Sequence, residues 1–224
     1  MKKQLEQAKK YFDIMAPLYD NATSIKNTWN PPSFIYQNIK ELISDNSTIL
    51  DIGVGTGQSI DKIYNNKQFK KLYGVDISQK MIFECQKKYP KMITQQISDI
   101  SDILNLEDKK FDLIICSGLI EFVDDIKLFF ETVSTILSKK GYFVFTYEPI
   151  IEFHSYQQYK SSLTVPQKNS SLFIDNFYTY RYHPLEIKDY LYKHKLTIIS
   201  DLEFIAYKKG DEKIIYHLLV TTSL

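Results

Sequence analysis

The sequence predicts an α/β fold: a mostly parallel sheet with helices on both faces, closed by an antiparallel hairpin. Three observations carry this. Thr48-Ile49-Leu50-Asp51-Ile52 is a strand-length apolar run that breaks into Gly53-Val54-Gly55-Thr56-Gly57, the junction of a buried strand with a loop able to take a ligand against bare backbone. Strand-like runs then alternate with stretches of helical period as far as Tyr147, the rhythm of a parallel sheet covered on both sides. Two closing strand-like runs meet across Lys208-Lys209-Gly210-Asp211-Glu212, a hairpin signal.

Taken in order, Leu5, Ala8, Phe12 and Met15 recur at helical spacing, and that helix stops near Pro17. Asn30-Pro31-Pro32 starts a second helix, with Ile35, Ile39, Leu42 and Ile43 on one face. After the glycine loop a helix is expected over about Gln58 to Tyr64. Leu72-Tyr73-Gly74-Val75-Asp76 reads as a second strand, and Ser78 caps a helix with Met81, Ile82, Cys85 and Tyr89 inward. Met92 to Ile97 and Phe111 to Cys116 are the next strands. Ile126, Phe129, Phe130, Val133, Ile136 and Leu137 form the cleanest helical stripe, and Tyr142 to Tyr147 is the fifth strand. From Glu148 to Tyr182 the rhythm breaks into aromatic and polar sequence. His183-Pro184 then opens a last helix, followed by strands over about Thr197–Tyr207 and Lys213–Thr222.

The 224 residues, with a formal net charge of +1, read as one domain over 1–224 without repeats or linkers. Nearly all the positive charge is lysine, and Arg181 is the one arginine. That balance argues against a polynucleotide partner. No apolar run is long enough to span a bilayer, and Cys85 and Cys116 read as buried thiols in a reducing compartment, so a cytoplasmic location is expected. The four histidines (His154, His183, His194 and His217) are scattered without metal-ligand spacing.

Spacing in the glycine loop discriminates between ligands. A dinucleotide loop, G-x-G-x-x-G, would require glycine at position 58, where this chain has Gln58. The pattern D-x-G-x-G-x-G from Asp51 to Gly57 instead resembles the first motif of class I S-adenosylmethionine (SAM)-dependent methyltransferases. Tyr11-Phe12-Asp13-Ile14-Met15-Ala16-Pro17-Leu18-Tyr19-Asp20 resembles the F-D-x-x-A-x-x-Y-D signature of the small-molecule members, such as those of ubiquinone and menaquinone synthesis. The resemblance implies a Rossmann-like seven-stranded sheet, SAM as cofactor and a small-molecule methyl acceptor. It also implies an N-terminal helical lid over residues 1–45 and a substrate lid over 148–182.

By the same resemblance, Gly53, Gly55 and Gly57 form the cofactor loop, and Asp51 lies near the methionine amino group. Asp76, ending strand two, takes both ribose hydroxyls, a task suited to an acceptor-only carboxylate. Ile77 and Met81 pack on the adenine, and Ile100 is a further cofactor-binding candidate. Asp99 accepts from its amino group, with Asp102 a competing acid three residues on. Tyr11 and Tyr19 are candidate lid residues, and Ser117 follows strand four. Methyl transfer needs a base only when the acceptor is protonated. The candidates are Glu121, Glu148 and His154, because Phe122 stands where related sequences place a histidine. Arg181 and Tyr178 are candidates for holding the acceptor. An RNA or protein methyltransferase and a non-catalytic SAM-binding module are the alternatives.

Overall fold

The computed structural model describes residues 2–24, 29–150, 160–163, 177–209 and 211–223. Its main sheet has seven strands: β1 (Thr48–Ile52), β2 (Lys71–Asp76), β3 (Ile93–Gln96), β4 (Phe111–Cys116), β5 (Leu137–Tyr147), β8 (Leu196–Lys209) and β9 (Glu212–Ser223). Their spatial order is β3-β2-β1-β4-β5-β9-β8. The first five run parallel, while β9 is antiparallel to both β5 and β8. The predicted seven-stranded, mostly parallel sheet with its closing hairpin is thus observed. Between β5 and β8 lie two short paired strands, β6 (Lys160–Leu163) and β7 (Phe177–Tyr180).

Seven α-helices lie in the described chain: α1 (Lys2–Met15), α2 (Tyr19–Ser24), α3 (Pro31–Ile39), α4 (Asp61–Asn66), α5 (Gln79–Lys88), α6 (Ile126–Ile136) and α7 (Pro184–Lys193). Side-chain alternation along the strands divides the core into two layers. Leu50, Ile114, Phe143 and Phe145 belong to one layer with Phe129, Phe130 and Val133 of α6 and Ile187 and Leu191 of α7. Ile49, Leu113, Ile115 and Val144 belong to the other, with Ile35 and Ile39 of α3, Ile63 of α4, and Ile82 and Cys85 of α5. β1 is buried along its whole length, which is why it reads as a continuous apolar run rather than an alternation.

Two expected boundaries move for identifiable reasons. The helix after the glycine loop begins at Asp61 rather than near Gln58. Gln58 instead spends its amide on Asp20 Oδ1 at 2.9 Å and Thr23 Oγ1 at 2.7 Å. The chain does not leave helical geometry for long after Pro17: Tyr19–Ser24 is again helical, with Thr23 Oγ1 donating to the Tyr19 carbonyl at 2.8 Å. No helix among the described residues is long and apolar enough to cross a membrane. Cys85 and Cys116 are buried free thiols.

Candidate functional site

The carboxyl ends of β1, β2 and β4 meet beneath α1, at the edge where open α/β sheets seat their ligands. Gly53, Gly55 and Gly57 all have positive φ (74°, 53° and 86°), but the three do different work. A Cβ on Gly57 would lie 2.4 Å from the Tyr89 ring and one on Gly53 would lie 3.0 Å from Leu119, whereas one on Gly55 would meet nothing within 4 Å. Gly57 therefore lets α5 pack against the loop, and Gly55 faces open space. Gly55→Asn, whose side chain tolerates left-handed backbone, is expected to leave the fold intact and weaken SAM binding at least about tenfold by filling that space. Gly57→Ala is expected to destabilise the chain by about 1–3 kcal/mol through overpacking, read by thermal melting and calorimetry on both variants.

That space belongs to an open cavity. Gly53, Gly55, Asp76, Ile77, Met81, Asp99, Ile100 and Ser117 line it, as does Tyr19. The N-terminal helices thus form part of its wall, through Leu5, Ala8 and Phe12 of α1 and Tyr19 of α2. Tyr11 is not part of the lining; Phe12 is, and packs edge-on against Phe122 with ring centroids 5.2 Å apart.

Asp76 closes one side. Its Oδ2 accepts from the Gly55 N–H at 2.9 Å and its Oδ1 from the Ser78 N–H at 2.8 Å. Burial raises its pKa and these backbone donors lower it, leaving it at about 6. Asp51 lies behind the loop, wholly buried, and neither carboxylate oxygen has a hydrogen-bond partner. Burial, then the charge of Asp76, pushes its pKa well above the carboxylate range. Ser117 Oγ is a third buried polar atom without a partner. Buried polar groups are ordinarily satisfied, so orphans beside an open cavity fit a polar ligand. Acids suit hydroxyls, amines and cations, and Ile77, Met81, Ile100 and Leu128 offer apolar faces.

The two acids after β3 divide their tasks. Asp99 reaches the cavity while its Oδ1 accepts from the Ser101 N–H and hydroxyl at 3.0 and 2.9 Å. Asp102 Oδ2 instead takes the N–H groups of Ser98 and Asp99 at 2.7 and 3.2 Å, which completes a capping box.

Two further acids pin the N-terminal segment. Asp13 Oδ1 accepts from the Ser78 hydroxyl at 2.6 Å. Asp20 accepts from Thr56 Oγ1 at 2.6 Å and Gln58, and pairs with Lys88 at 2.8 Å. Burial raises the Asp20 pKa, but the hydrogen bonds from Lys88, Thr56 and Gln58 outweigh it and leave the group below its ordinary value. Sequence reasoning assigned neither residue; the signal was the pair of aspartates inside the N-terminal signature.

The acceptor-side candidates stand differently from expectation. Arg181, expected to be available to an acceptor anion, is committed to Glu148 by ion pairing at 2.7 Å and also donates to Thr179. Glu148 is thereby held against a cation, unlike a base awaiting a proton. Glu121 is 3 % exposed; its Oε1 accepts the Glu148 N–H at 2.6 Å and its Oε2 has no partner. Burial raises its pKa to about 7 against the pull of its own and Glu148's N–H. None of the three lines the cavity. His154 lies outside the described residues. Tyr178 sits on β7 in register with Ser162, and its side chain lies outside them. No group of His, Cys, Asp and Glu among the described residues could hold a metal ion.

Residues 50–145 match the family model "Methyltransferase domain". Carboxy-S-adenosyl-L-methionine synthase 1 of Yersinia pseudotuberculosis is 29% identical over 102 residues, 39% of this chain. The match spans 42% of the length of that curated relative. A SAM-dependent methyltransferase structure from Clostridium acetobutylicum superposes with a TM-score of 0.66 at 21% identity, over 95% of this chain and 98% of the other. Magnesium protoporphyrin IX methyltransferase of Synechocystis with bound SAM superposes with a TM-score of 0.66 at 14% identity, over 99% and 97%. A putative methyltransferase solved with the Trm112 activator of Haloferax volcanii gives 0.72 at 15%, over 95% and 97%. Over residues 50–145 the chain thus resembles a methyltransferase domain, on a fold it shares with SAM-dependent methyltransferase structures.

Proposed function

We propose that the chain transfers a methyl group from SAM to a small-molecule acceptor by in-line displacement. The observation that carries this reading is the cavity itself, which combines open space at Gly55, the Asp76 carboxylate and the unpartnered Ser117 hydroxyl, with the unpartnered Asp51 carboxylate buried in β1. SAM supplies a methyl group already activated by its sulfonium, so the protein's task is alignment and exclusion of water. In this reading Asp76 holds the ribose hydroxyls, and Asp51 and Ser117 receive the amino acid end. Ile77, Met81 and Ile100 sandwich the adenine and Asp99 accepts from its amino group. The N-terminal segment acts as the lid over the donor, with Phe12 and Tyr19 against the ligand; most of the expected 148–182 substrate lid lies outside the described residues.

A small acceptor is favoured over RNA because the net charge is only +1 and the one arginine is committed to an ion pair. A carboxylated donor of the kind named in the Yersinia relatives is less well served. Among the described residues no lysine, arginine or histidine lines the cavity to pair the additional carboxylate. A cytoplasmic setting agrees with two unbridged thiols. Titration calorimetry with SAM and S-adenosylhomocysteine is the test: saturable binding of both is expected, and no heat from correctly folded protein refutes the reading.

A further inference from the structure

We propose that donor exchange is gated by the N-terminal helices, with Asp20 as the main clasp that holds this gate shut and Asp13 as the second. This deepens the methyltransferase reading by naming what controls access to its cofactor site, and it rests on that reading.

The clasps land on the elements that border the cavity. Thr56 stands between Gly55 and Gly57 and is 1% exposed. Its hydroxyl donates to Asp20 Oδ1 at 2.6 Å. Gln58, just past Gly57, donates to the same oxygen at 2.9 Å and to Thr23 Oγ1 at 2.7 Å. Asp20 Oδ2 meets Lys88 of α5 at 2.8 Å. One side chain of α2 thus collects donors from both sides of Gly57 and from α5. Asp13 acts at the neighbouring strand end. Its Oδ1 takes the Ser78 hydroxyl at 2.6 Å, and the Ser78 N–H is one of the donors on the Asp76 carboxylate.

What the clasps hold down is the roof of the site. Leu5, Ala8 and Phe12 of α1 and Tyr19 of α2 line the cavity. Burial, and then the neighbouring Tyr11, Asp76 and Asp20, push the Tyr19 phenol well above its ordinary pKa, so its hydroxyl is shut away close to the acid assigned to the ribose. A donor seated on Asp76 is covered while α1 and α2 stay docked. Undocking wets the apolar faces of Leu5, Ala8 and Phe12, which makes the open form the minor one. The clasp contacts differ in weight. The Lys88 and Asp20 side chains are 34% and 47% exposed, where water screens the pair and leaves it little strength. The Thr56 hydroxyl is buried and must find another acceptor when Asp20 leaves, so that bond decides how long the lid stays down.

Such a gate has a kinetic signature. Donor enters and leaves only through the minor open form, so loosening a clasp speeds entry and exit by the same factor and leaves Kd nearly unchanged. A side chain that merely props the glycine loop behaves otherwise. Its removal speeds exit alone, and Kd weakens in step.

The chain carries its own reporter. Its one tryptophan, Trp29, packs on Gly118, which lines the cavity, and a Cβ there would lie 2.8 Å from the indole. Stopped-flow mixing with SAM reads entry through Trp29 fluorescence, and a chase of labelled SAM reads both rates independently of it. In the unaltered chain the binding rate is expected to level off with rising SAM, at the rate of lid opening. Asp20→Ala is expected to raise that plateau and the exit rate at least about tenfold each, while the calorimetric Kd stays within about threefold. Asp13→Ala is expected to move both rates the same way, by about threefold or more. Asp20→Asn keeps an acceptor for Thr56 and gives up only the charge facing Lys88, so its rates are expected between those of Asp20→Ala and the unaltered chain. A binding rate that keeps rising in proportion to SAM in the unaltered chain overturns the gate. So does Asp20→Ala with unchanged rates, or with faster exit alone and a Kd weakened in proportion. No SAM binding by correctly folded chain overturns the methyltransferase reading instead, so the two failures are distinguishable. The measurement on the unaltered chain stands whether or not the variants fold.

Discussion

Asp76→Ala is expected to weaken SAM binding about 100-fold, from the loss of two hydrogen bonds to a charged acceptor at about 1.5 kcal/mol each. The same carboxylate ties the Gly55 and Ser78 N–H groups together, so its removal also loosens the loop that borders the cavity. Asp76→Asn keeps one acceptor oxygen and is expected to lose about tenfold. The pH dependence follows from burial, which places the Asp76 pKa at about 6. Ribose hydroxyls donate to the ionised form, so affinity is expected to fall as pH drops through 6, approaching about tenfold per unit. Both variants lose that dependence. For the ligand-free fold the sign reverses. A raised pKa gives stability that is full below the unfolded value near 3.8 and is lost as pH rises through about 6. Calorimetry between pH 5 and 8 reads the affinity effect, and an unchanged Kd in Asp76→Ala removes Asp76 from the site.

Asp51→Asn is expected to make the ligand-free chain more stable and its cofactor binding weaker. The wild-type carboxylate is wholly buried, has no hydrogen-bond partner, and faces the charge of Asp76. A neutral amide of nearly the same shape removes the burial cost of a charge, though not that of a polar group. A gain of about 2 kcal/mol is expected, or roughly 4–8 °C in melting temperature for a chain of this length. Because the Asp51 pKa is raised in the fold, wild-type stability falls as pH climbs through it, and the gap between variant and wild type widens over that range. SAM affinity is expected to drop about tenfold, the loss of one charged hydrogen bond. A variant that melts no higher than the wild type refutes the account of Asp51 as a strained site acid.

Legibility in the sequence followed how local each signal is. β1 and β4 are readable because strands buried on both faces are mostly apolar, each here interrupted by a single aspartate, and α6 because its stripe keeps helical period. Gln58 shows the limit. Local pattern placed it at a helix start, but its amide is used by Asp20, 38 residues earlier. Asp99 and Asp102 were equivalent as letters three apart, and only backbone geometry turned one toward the cavity and the other onto a cap.

The α/β architecture, the glycine loop and the acids ending β1 and β2 are legible along the chain, because strand burial, helical period and positive-φ demands are each written in neighbouring residues. Tertiary structure alone decided that Gly57 serves packing while Gly55 opens on the cavity, and that Asp13 and Asp20 fasten the N-terminal segment over it. It alone set Arg181 against Glu148 and left Glu121 with an unanswered oxygen. Those are matters of which distant side chain arrives at a given atom. Spacing along a chain carries no record of that until the sheet has brought the ends of its strands together.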